Sequence, residues 1–128
     1  MKHIYSLKSD TEYITNVQKA TLETKKYGIV PDYGLFGSAE WWQALEHGDI
    51  EVHAIEGVIA QVYMSGHNDF PEFKIQLGSN VTSWERKANQ DLYREGALVR
   101  LEYVFTRNRF DHKTGPTQLN VWVQESGT

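Results

Sequence analysis

The chain has 128 residues, a formal net charge of −4 and no cysteine. That length fits one domain able to bury its own core, and the missing thiols exclude disulfides, thiolate metal sites and cysteine nucleophiles. The net-acidic balance lacks the basic footprint of a nucleic-acid binder, and no apolar run approaches the roughly 20 residues of a membrane helix. The first residues, MKHIYSLKSDTEYI, contain no apolar signal-peptide core, so the expected compartment is the cytoplasm. Charge is unevenly placed: residues 1–64 hold five Lys/Arg and nine Asp/Glu, residues 65–128 eight of each. Arg107, Arg109 and Lys113 form a local basic group in the second half.

The elements follow in chain order. A helical part is expected over about 9–48 and a β part over about 49–125 of a single domain, 1–128. Ser9 to Glu12 offer helix caps, and Ile14, Val17 and Thr21 keep helical spacing. Ala20, Leu22 and Thr24 alternate as in a strand, so residues 10–24 lean to helix with strand as the competitor. YGIVPDYG, 27–34, is a loop, because Pro31 removes a donor and biases Val30 to extended geometry. Residues 38–47 form a short helix: Ser38 caps it, Glu40 suits its positive end, and Gly48 suits the left-handed residue after it. Trp41 and Trp42 stand about 100° apart on that helix, so at most one is deep core.

Beyond Asp49 the period becomes two. Val52, Val58, Ala60 and Val62 are expected to point inward, Met64 continues their alternation, Ile59 and Tyr63 lie on the other face, and a bulge or bend is expected at Gly57. Phe73, Ile75 and Leu77, then 81–86, continue as strands. Val99, Leu101, Tyr103 and Phe105 share one face of the strongest strand, which pairs with 117–125, where Leu119, Val121 and Val123 point inward. With Leu45 and one tryptophan these make the expected core. The fold class is mainly β, α+β: a small curved antiparallel sheet or partly open barrel of about five strands behind one or two N-terminal helices. In architecture it resembles SH3-like and OB-like barrels, a likeness that says little about function.

Four features bear on chemistry. Trp41 and Trp42 serve as core or as a stacking surface. His67 and Asp69 in the 66–69 loop could act as base and orienting carboxylate, although turn chemistry explains the same residues. Trp84 and Arg86 lie in an aromatic and basic stretch, 83–96, that suits single-stranded nucleic acid, but acidic residues in it cancel its cations. Arg100 and Glu102 share a strand face and would form a binding pair if it lined a cleft, with Tyr63, Gln118 or Gln124 completing it. The sequence carries no nucleophile motif, metal-ligand spacing or phosphate loop, so no catalytic residue, metal or cofactor is expected. The leading expectation is a non-enzymatic module binding a protein or peptide. The alternatives are a small-ligand-binding barrel or enzyme with a polar pocket, and a single-stranded nucleic-acid-binding barrel.

Overall fold

The computed structural model describes residues 1–66 and 69–125. Its elements are β1 (Lys2–Ser6), α1 (Thr11–Glu23), α2 (Ala39–Glu46), β2 (His53–Met64), β3 (Pro71–Leu77), β4 (Asn80–Glu85), β5 (Leu98–Arg107) and β6 (Thr114–Val123). Short 3-10 turns lie at Leu7–Ser9 and Gln90–Leu92. The strands form one open antiparallel sheet in the order β1-β6-β5-β2-β3-β4. The fold is therefore the expected mainly-β α+β type, in its open-sheet form. The strand missed in the sequence is β1, whose five residues KHIYS carry no clear alternation.

Both helices form for local reasons. In α1 the Asp10 carboxylate accepts from the Tyr13 amide, and the Thr21 hydroxyl donates to the Val17 carbonyl four residues back, at 2.8 Å. That back-bonding gives the threonine hydroxyl a partner inside a helix, and of the two readings of 10–24 the helix is the one that forms, over Thr11–Glu23. In α2 the Ser38 hydroxyl accepts from the Trp41 amide, and Gly48 takes the left-handed conformation after the last turn.

The pairing of β2, β3 and β4 corrects part of the expected core. Ile59 faces Ile75 and Val62 faces Phe73, with a register shift between Ile59 and Gln61. Ala60 is therefore the extra residue of a bulge. The inward residues before it are Ile55, Gly57 and Ile59, and Val58 is exposed. A one-residue offset moves every side chain to the other face, which is why the alternation starting at Val58 misleads. Gly57 has a separate purpose. A Cβ there would run into the Gln76 carbonyl and the Ile75 side chain, so glycine lets β3 approach closely.

The chain forms two compact units, described separately. The first comprises Met1–Tyr5, Ala54–Leu101 and the chain from Asn120 on. Its buried residues include Ile59, Phe73, Ile75, Tyr93, Val99, Leu101, Val121 and Val123. The second comprises Ser6–His53 and Glu102–Leu119. Leu7, Ile14, Phe36, Trp41, Ile50, Val104 and Leu119 are buried in it. Along β5 burial passes from the odd positions Val99 and Leu101 to the even position Val104. Phe105 is consequently exposed and Tyr103 half-buried, although both were expected in the core. Val52 and Leu77 are exposed as well, each beside an element end.

Candidate functional site

In α2 the ring of Trp41 is 4 % exposed and meets Phe36 at 5.0 Å between centroids. Trp42 is half-buried, donates from its indole nitrogen to the Gly37 carbonyl at 3.0 Å, and carries the Lys8 ammonium 5.6 Å from its ring centre. The geometry leaves Trp41 as core and Trp42 half-buried.

The polar residues expected at a site are engaged with neighbours on their own strands and on nearby ones. The Tyr63 hydroxyl donates to Glu72 at 2.8 Å, and Lys74 lies over its ring. Arg86 donates to the Tyr63 carbonyl at 3.1 Å. The Trp84 indole donates to Thr82. Asp69 is exposed with a positive φ of 51°, and His67 lies outside the described residues. Arg100 pairs with Glu56 at 2.9 Å, and Glu102 is half-buried. A recess of about 340 Å³ is lined by Lys2, Ile4, Asp91, Leu92, Arg94 and Gln124, and of the residues expected to form a polar pocket Gln124 alone is in this lining. Tyr93, 4 % exposed, accepts from the Lys87 amide and donates to the Lys87 carbonyl. Burial pushes its hydroxyl pKa well above the ordinary tyrosine value, which suits a structural phenol. Among the described residues no group of three or more His, Asp or Glu is arranged to hold a metal ion.

Two surfaces went unread in the sequence. On the first unit, His3 of β1 stacks on Trp122 of β6 at 4.9 Å, Arg100 of β5 lies over the same indole at 5.9 Å, and Arg100 reaches Glu56 of β2. These four side chains form a ladder across four adjacent strands. Alternation placed Trp122 opposite the buried Val121 and Val123, and only the strand order supplies His3 and Glu56 as neighbours.

On the second unit, Tyr27 and Phe110 stack with centroids 6.0 Å apart and planes 10° apart. They are 56 % and 64 % exposed. The available signal was a single aromatic inside each polar loop, KKYG and NRFDH. Arg109 joins these loops. Its guanidinium donates to the carbonyls of Thr21, Thr24, Lys25 and Tyr27, placing a cation on the carbonyls at the negative end of α1. Arg107 makes a two-point contact with Asp32, at 2.7 and 3.3 Å. That guanidinium holds the Asp32 carboxyl below the usual carboxylate range. The basic group of the sequence is therefore engaged internally at Arg107 and Arg109. In the first unit Arg86 and Arg94 donate to backbone carbonyls and Lys87 pairs with Glu85.

These surfaces offer aromatic rings and paired charges, an arrangement suited to contact with another macromolecule. No helix among the described residues is long and apolar enough to cross a membrane. No curated protein matches the chain. A family model described as immunity protein RhsI2 matches residues 1–120, and the chain belongs to that family.

Proposed function

We propose that this protein is a toxin-immunity protein that acts by binding a toxin protein and blocking it, without chemistry of its own. The observation that carries this reading is the family match over residues 1–120, nearly the whole chain. It narrows the expectation of a protein-binding module to one kind of partner. The internal engagement of Arg86, Lys87, Arg94, Arg107 and Arg109 weighs against the nucleic-acid alternative, whose affinity depends on cations available to neutralise phosphates. The proposed compartment is the cytoplasm, which cell fractionation would check.

The test is co-expression with Rhs toxins in a sensitive cell. Survival is expected with the one cognate toxin. The purified pair should then form a stable complex with Kd below about 1 μM. Protection without any complex would sink the blocking mechanism, and absence of protection against every toxin tried would remove its support.

A further inference from the structure

We propose that the stacked pair Tyr27 and Phe110, flanked in sequence by Lys25, Lys26 and Lys113, is the anchor on which the protein docks an acidic segment of its toxin. This rests on the immunity reading above and names where and how the partner is held.

Three observations converge on this corner of the second unit. The first is exposed apolar surface. Both rings stand mostly in water, and Leu22 in the last turn of α1 is 71 % exposed. Exposed aromatic rings are the side chains that most often carry binding energy when a partner covers them. The second is that the pair is built. Arg109 ties four carbonyls after and within the end of α1, and the Arg109 amide donates to the Gly28 carbonyl at 3.1 Å. Val30 donates to the Arg107 carbonyl at 2.8 Å, and Ile29 bridges to Asn108. Gly28 turns the chain there with φ +96°, where a Cβ would strike the Thr21 backbone. Two loops are thus pinned so that their rings meet in the free protein, and little ordering is left for binding to supply.

The third observation is charge. The segments 23–28 and 108–113, ETKKYG and NRFDHK, hold four Lys/Arg and two Asp/Glu, the reverse of a chain with net charge −4. Arg109 spends its donors on carbonyls, and the Asp111 carboxylate accepts from the Lys113 amide of its own loop. Lys25, Lys26 and Lys113 are exposed. An apolar centre with a cationic surround fits a partner segment that sets carboxylates beside an apolar side chain. Rings and lysines could also stack and grip a single strand of nucleic acid, and the family match favours the protein.

The experiment uses a catalytically inactive form of the toxin that wild-type protein neutralises, with binding measured by calorimetry and stopped flow. Tyr27→Ala with Phe110→Ala should weaken binding at least about tenfold while thermal unfolding stays near wild type. Changing Lys25, Lys26 and Lys113 to Glu should slow association and flatten its salt dependence; these exposed sites are not needed for folding. Wild-type affinity in both folded variants overturns the anchor. Failure of wild type to bind the toxin it neutralises is a different result, overturning the blocking mechanism and its occupant together. Binding of a single-stranded oligonucleotide by wild type, lost in both variants, overturns the protein occupant.

Discussion

Tyr93 shows how a buried polar residue is used for structure. Its hydroxyl satisfies both the amide and the carbonyl of Lys87 inside the first unit. Tyr93→Phe leaves both without a partner and should cost about 1–3 kcal/mol in urea unfolding at neutral pH. The pH dependence has a defined sign. The hydroxyl pKa is raised in the fold, so above the unfolded value of about 10 the folded chain holds a proton that the unfolded chain releases. Stability is lost as pH rises past that point. The gap between wild type and Tyr93→Phe should narrow at high pH, and a gap that stays constant would contradict the assignment. Asp32 has the opposite sign: its carboxyl pKa is lowered by Arg107, so its contribution is present at neutral pH and fades on acidification. Arg109→Met keeps the stem and removes the charge from four carbonyls. It should cost about 1.5–3 kcal/mol and also weaken toxin binding, because it frees the loop that carries Tyr27.

At the scale of elements, legibility tracked how local the cause was. Ser38, Glu40 and Gly48 bound the helix 38–47 by contacts within a turn, and α2 ends within one residue of that prediction on either side. The β5–β6 hairpin was readable because its strands alternate and follow one another. The inward face of β2 was not, since Ala60 is an extra residue whose presence depends on the register with β3. Nor was the change of buried face along β5, because Leu101 and Val104 belong to different cores. Gly57 was read as a bulge or bend, but its reason is the Gln76 carbonyl, a neighbour 19 positions away in the chain. Gly57→Ala should therefore destabilise by about 1–3 kcal/mol through overpacking, measured as a lower denaturation midpoint. A neutral outcome would mean that β3 can move away.

For the whole molecule, the immunity reading predicts linkage between binding and stability. A toxin that binds only the folded chain, at about 100 times its Kd, should raise the unfolding free energy by about 2.7 kcal/mol. Differential scanning calorimetry of the complex would show it as a higher Tm, which the Tyr27→Ala, Phe110→Ala variant should largely lose at the same toxin concentration. By itself the sequence determined the mainly-β α+β class, the caps of α2 and the absence of thiol chemistry, because these follow from composition, period and contacts within a few residues. It also put Trp41 and Trp42 on diverging directions, so that only one could be deep. The tertiary structure decided that Trp41 is that one, that Arg109 closes α1 from a loop 86 residues beyond its end, and that Tyr27 and Phe110 meet. Those facts depend on which distant segments share a neighbourhood, and a period along the chain carries no record of that.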